Sequence, residues 1–180
     1  LEAAEYFNTE VIVDVEADKI YTDPKYVELI SSELQNTEID FITGNNSLEK
    51  FEPESGFHGF MPAGITIRSL KKICDLKKTE NTETGYKEFF TENKFVKKRF
   101  LLPESDILIP TDFRFSLDYS EDFELAKIIF SRLGTSFDTR ELLNFIKENH
   151  DLHKIVEPVI GKWKNDYKKD ITKFNLDKSN

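Results

Sequence analysis

The stretch from Glu10 to Thr43 limits the possible folds more than any other part of the chain. Glu10-Val11-Ile12-Val13-Asp14-Val15 is a near-continuous β-branched run, the pattern of a strand in a buried parallel sheet. Asp23-Pro24 then supplies a helix N-cap followed by proline at the first helical position. Val27, Ile30 and Leu34 recur on one face of a helix running to about Gln35, and Ile39 to Thr43 is a second strand. Strand, helix and strand at these lengths make a βαβ unit, for which parallel strands and a right-handed crossover are expected. The fold class is therefore expected to be α/β with a mostly parallel sheet.

Phe113 to Leu125 repeats the theme. Phe113, Phe115 and Leu117 alternate with Arg114 and Ser116, predicting a third strand with one buried face. Ser120 reads as an N-cap, with Glu121, Asp122 and Glu124 in the first turn, where the helix dipole favours negative charge. Phe123, Lys127 and Phe130 share one side, Ile128, Ile129 and Leu133 widen it, and Gly134 ends the helix. Asp118 thus falls at the carboxyl end of a strand, where open α/β sheets hold ligands; a turn cap is the competing reading. The first strand likewise delivers Glu16 and Asp18 to its carboxyl end. Carboxylates gathered there are hard oxygen ligands suited to Mg²⁺, which neutralises phosphate oxygens.

The remaining segments fill in around these. Leu1 to Phe7 reads as a helix broken by Asn8-Thr9, Gly44 to Gly59 as loop, and Phe57 to Ile67 as holding an edge strand. Helices are expected from Ser69 to Lys77, from Tyr86 to Asn93 with Phe89 and Phe90 inward, and from Thr139 to about Asn149. The last begins at a capping-box pair, Asp138 and Glu141. Lys78 to Gly85 reads as a loop and Lys98 to Leu102 as a strand. Residues 1–155 read as one domain and 156–180, with Trp163 and little periodicity, as a surface arm or linker. Cys74 is expected in the core face of its helix. His150 and His153 stand three apart, but no further His or Cys completes a metal set, so they read as helix-end histidines; His58 reads as a loop residue.

Charge excludes some partners. With 25 basic and 34 acidic residues the net charge is −9, which argues against nucleic acid or an anionic membrane surface. No apolar run reaches the length of a membrane span, and the start lacks a signal-peptide pattern. A single cysteine fits a reducing compartment, so a cytoplasmic location is expected.

Several local strings resemble the spore-coat polysaccharide biosynthesis cytidylyltransferases, sugar nucleotidyltransferases related to the enzymes that make CMP-activated acidic sugars. Val11 to Pro24 is similar to the segment ending in a Gly-Asp-x-Pro turn and a later Asp-Pro, with Asp18 on the turn aspartate. Arg114 to Leu125 resembles Arg-Leu-Thr-Val-Asp-x-Pro-Glu-Asp-Phe-Glu-Leu, with Asp118 on its aspartate, and Leu142 to Ile155 resembles the closing helix. The resemblance covers Leu1 to about Ile155. It implies a Rossmann-like, three-layer nucleotide-diphospho-sugar transferase fold, here expected to lack the first strand and Gly-rich loop. It further implies Mg²⁺ held by Asp18 and Asp118, substrate contacts at Glu16, His58, Gly59 and Arg114, and CTP with a sugar or sugar acid as substrates. A sheet without its first strand exposes an edge, so a homo-oligomer or partner chain is also expected.

The departures leave two alternatives open. The turn glycine is Ala17, the turn proline is Ile20, an expected acidic residue is Ala63, and an Arg-Glu-His-Val-Thr string falls near Glu83 to Lys87 without matching. One alternative is a non-catalytic scaffold or assembly domain. The other is a GT-A-type glycosyltransferase in which Asp14, Glu16 and Asp18 take the metal-binding role.

Overall fold

A computed structural model describes residues 1–52, 59–76, 86–102, 104 and 109–172, with side chains through 166. The elements in chain order are α1 (Glu2–Tyr6), β1 (Val11–Asp14), α2 (Pro24–Asn36), β2 (Phe41–Gly44), β3 (Ala63–Thr66), α3 (Ile67–Leu76), α4 (Tyr86–Thr91), β4 (Lys98–Leu101), α5 (Ser120–Leu133), α6 (Thr139–Glu148) and α7 (His153–Thr172). The four strands form one sheet in the order β1-β3-β2-β4. β3 is antiparallel to both neighbours, whereas β2 and β4 are parallel. Three strands therefore share a direction, as the βαβ unit requires, but two of the three ladders are antiparallel.

This placement of β3 corrects the expectation of an edge strand. The strand is interior because Gly64 lets α2 lie directly on it. A Cβ there would stand 2.1 Å from Ile30 Cγ2 and 2.7 Å from Leu34 Cδ1, so a larger residue would lift the helix off the sheet.

Alternation along β2 builds the layers. Phe41 faces one side with Ile65, Ile73, Phe89 and Phe90, stacking on Phe90 at 4.9 Å between centroids. Ile42 faces the other, where Ile30 and Leu34 of α2 join Leu125 and Ile129 of α5, Leu142 and Ile146 of α6, and Val156 of α7. The sheet is thus covered by helices on both faces. Asp23 links two of them: its carboxylate caps α2 through the Lys25 N–H (3.0 Å) and also accepts from the Thr139 N–H (3.2 Å) and hydroxyl (3.1 Å) at the start of α6.

Three further expectations change. Phe113–Leu117 is not a strand, because Arg114 is drawn inward as fully as Phe113 and Phe115 and the alternation of buried and exposed positions is never realised. Both phenylalanines are nevertheless core residues. Residues 156–172 continue α7, with Val156 and Val159 buried; Pro158 inside the helix masks its periodicity. Cys74 is exposed, since α3 turns Ile67, Ser69 and Ile73 inward instead. The expected loop at Lys78 to Gly85 lies outside the described residues. Among the described residues no helix is long and apolar enough to cross a membrane.

Candidate functional site

Polar side chains gather at the carboxyl end of β1. Asp14, the last strand residue, accepts a hydrogen bond from the Tyr86 hydroxyl at 2.7 Å, which fixes the start of α4 over the strand end. Glu16 accepts from the buried Lys19 ammonium at 2.6 Å and from the Tyr86 hydroxyl at 3.4 Å. Burial opposes ionisation of Glu16, but the Lys19 ammonium and its hydrogen bond, with help from Lys87, hold the carboxyl below its usual range. Burial, then the two carboxylates, push the Tyr86 hydroxyl far up, so it stays a proton donor.

Lys87 is the unusual member. Its burial and the adjoining Lys19 ammonium push it down to about 7, against the pull of Glu16 and Asp14. Between about 7 and the ordinary lysine value of 10.5, the unfolded chain carries a proton at this site that the folded chain has released. The free energy of unfolding is therefore expected to rise with pH across that window, and the contribution is smallest below it. Urea unfolding at about pH 7 and about pH 9 should show the rise, and Lys87→Met should flatten it. An identical rise in the variant would dispose of the assignment.

The Arg114–Asp122 segment meets this end of the sheet through one backbone bond: the Leu117 N–H donates to the Asp18 carbonyl at 2.9 Å. Asp18 and Asp118 thus belong to neighbouring turns. Among the described residues the half-buried Asp18 carboxylate has no hydrogen-bond or ion-pair partner. Asp118 Oδ2 is ion-paired with Arg114 and accepts from the Ser116 hydroxyl at 3.3 Å, leaving Oδ1 without a partner among the described residues.

Arg114 is buried. Its Nε donates to both oxygens of the buried Asp122 (3.2 and 3.1 Å), and its guanidinium stands 5.1 Å from the rings of both Tyr119 and Trp163. It is placed to orient Asp118, not to face solvent. Asp122 in turn accepts from the Asp118 and Tyr119 N–H groups (2.9 and 3.0 Å), capping α5 by reaching back from its first turn. The helix begins at Ser120 with Tyr119 as the N-cap, one residue earlier than its sequence suggests.

The other predicted site residues divide. Gly59 lies against Phe115: a Cβ there would be 2.4 Å from the Phe115 carbonyl oxygen, so the glycine has a packing reason to be present. His58 lies outside the described residues. Asp14, Glu16 and Asp18 do not converge as a three-carboxylate metal set, since Asp14 and Glu16 are held by Tyr86 and Lys19. Lys19, Tyr86, Lys87 and Trp163 were not read as site residues from sequence. A signal existed for Tyr86 and Lys87: they fall where the resembled family carries its Arg-Glu-His-Val-Thr string.

One mixed sheet covered by helices on both faces, with an acidic strand end meeting a second acidic turn, places the chain in the Rossmann-like α/β class. The solved structure of a cytidylyltransferase from Leptospira borgpetersenii serovar Hardjo-bovis (strain JB197) is similar to this chain, with 24% sequence identity and a TM-score of 0.68. The match covers 84% of this chain and 61% of that one, so the chain spans less than two thirds of its length. No protein-family model and no curated protein matches the chain.

Proposed function

We propose that this chain is a cytidylyltransferase-like domain that joins the nucleotidyl group of CTP to a sugar or sugar acid in surface polysaccharide biosynthesis. The observation that carries the reading is the Asp18–Leu117 backbone bond, which sets the Asp18 and Asp118 turns side by side at the end of β1. The likeness in fold to a solved cytidylyltransferase supports it. Asp18 and Oδ1 of Asp118 fit a Mg²⁺ site in donor chemistry, because such a site takes one or two carboxylates and fills its shell with water and phosphate oxygens. Bound there, Mg²⁺ would offset the charge of the triphosphate. Arg114 orients Asp118. The Lys19 ammonium, held by Glu16, supplies positive charge beside the site.

A non-catalytic binding domain is the second reading, favoured by the Arg114–Asp118 ion pair, which competes with any cation for Asp118. Calorimetry with Mg²⁺ and water relaxation with Mn²⁺ separate the two. The expected result is weak binding by the wild type, tightened by CTP, and loss of binding in Asp118→Asn with little change in stability. If the wild type takes up no divalent ion at roughly millimolar excess, or the variant binds equally well, the catalytic reading fails and the second replaces it.

A further inference from the structure

Away from the β1 site, the turn before Phe113 and the start of α7 bring together Asp112, His150 and His153. One ligand atom from each lies within 4.8 Å of the others. We propose that these three residues form a binding site for a zinc-class divalent transition-metal ion.

Local geometry explains the convergence. His150 to Leu152 is a single 3₁₀ turn leading into α7. In 3₁₀ geometry, residues three apart eclipse each other. The two imidazoles consequently face each other, with centroids 4.8 Å apart. Asp112 reaches the pair from a segment distant in sequence, its Oδ2 lying 2.9 Å from His150 Nε2. The His153 ring is set by a 2.8 Å contact between Nδ1 and the His150 carbonyl. Because a carbonyl only accepts, Nδ1 must carry the hydrogen there, and Nε2 is left with a lone pair for a metal. Backbone anchoring of one imidazole nitrogen is how proteins orient a histidine ligand. The Phe113 ring packs edge-on against both imidazoles (5.9 and 6.4 Å), restraining them further.

Ligand chemistry selects the ion. Two imidazoles and one carboxylate suit Zn²⁺ and its neighbours, whereas Mg²⁺ and Ca²⁺ prefer all-oxygen shells. Around a tetrahedral ion with bonds near 2 Å, ligand atoms stand roughly 3.3 Å apart. The His150–Asp112 contact is already that close, and with all three ligand atoms within 4.8 Å of one another, small shifts of Asp112 and His150 close the remainder while His153 keeps its backbone bond. A metal-ligand nitrogen carries no hydrogen, so the ion takes the place of the hydrogen between His150 Nε2 and Asp112. His150 is exposed and borders an open cleft of about 430 Å³, so a fourth position stays reachable by water.

The test uses the full chain freed of metal with EDTA. Calorimetric titration with Zn²⁺ should give one site per chain, and Mg²⁺ should give no heat from it. His153→Ala and Asp112→Asn should each weaken Zn²⁺ binding by at least about tenfold, while their unfolding temperatures without metal stay near that of the wild type. Zinc should raise the unfolding temperature of the wild type and not of the variants. Because Cys74 is exposed and could take zinc itself, Cys74→Ser is run alongside and should bind as the wild type does. A Co²⁺-loaded sample should show ligand-field bands without a thiolate charge-transfer band. Absence of zinc binding overturns the proposal, as does unaltered binding in both ligand variants or loss of binding in Cys74→Ser.

Discussion

Asp122→Ala is expected to destabilise the protein by about 3–5 kcal/mol, the range for removing one partner from a buried ion pair. Arg114 and Asp122 have side chains only 4% and 1% exposed, so the orphaned guanidinium cannot turn to water. Asp118 remains as a partner, but at 45% exposure it pulls from outside. The substitution also strips two backbone N–H groups of their acceptor where α5 begins. Burial raises the Asp122 carboxyl more than the Arg114 guanidinium lowers it, so desolvation outweighs attraction in the intact pair. The double variant Arg114→Met, Asp122→Leu should therefore recover the part of the loss that comes from the orphaned guanidinium, while the two uncapped N–H groups keep their cost. Urea unfolding of the three proteins measures both effects. A single-variant cost below about 1 kcal/mol would mean that Asp118 alone satisfies the arginine.

Gly59→Ala should cost about 3 kcal/mol, the upper end for forcing a methyl into filled space. The obstacle is the backbone of Phe115, whose carbonyl oxygen would lie 2.4 Å and carbonyl carbon 2.9 Å from the new Cβ. A rotating side chain could yield; a main chain held by buried phenylalanines on either side of Arg114 cannot do so cheaply. The residues around Gly59 must shift away from Phe115, or the Phe115 backbone must move and carry Arg114 and Asp118 with it. Thermal or urea unfolding reads the loss, and a change below about 0.5 kcal/mol would show that the loop gives way freely.

Much of the architecture could be read because particular residues punctuate the chain. Asp23-Pro24 marks the start of α2, Asp138 with Glu141 starts α6, and Gly134, with φ of 78°, ends α5. What could not be read depends on residues distant in sequence. Phe113 to Leu117 has the spacing of a strand, yet Asp122 and Trp163 pull Arg114 inward, and among the described residues no strand pairs with the segment. The interior position of β3 depends on how α2 crosses Gly64, which the local sequence does not encode. The acidic residues of the candidate site were visible as carboxylates near turns. Their environment was not, since the downward shift of Lys87 comes from burial and from Lys19, not from its sequence neighbours. His150 and His153 lacked only Asp112, which comes from another part of the chain.

The position of β3 has a consequence for how the chain reaches its native state. In a sheet whose neighbours follow each other in sequence, a hairpin can form early and recruit the rest. Here β1 and β2 have no shared hydrogen bonds, and both wait for β3 to pass between them. The β2–β3 ladder needs only the connection after β2 to close, whereas the β1–β3 ladder needs closure across α2 as well, which makes the docking of β1 the late step. α2 lies next to β1 in sequence and packs over the space that β3 will fill. Collapse of α2 onto β1 before β3 arrives would block the central strand, and the absence of a side chain at Gly64 leaves room for that late entry.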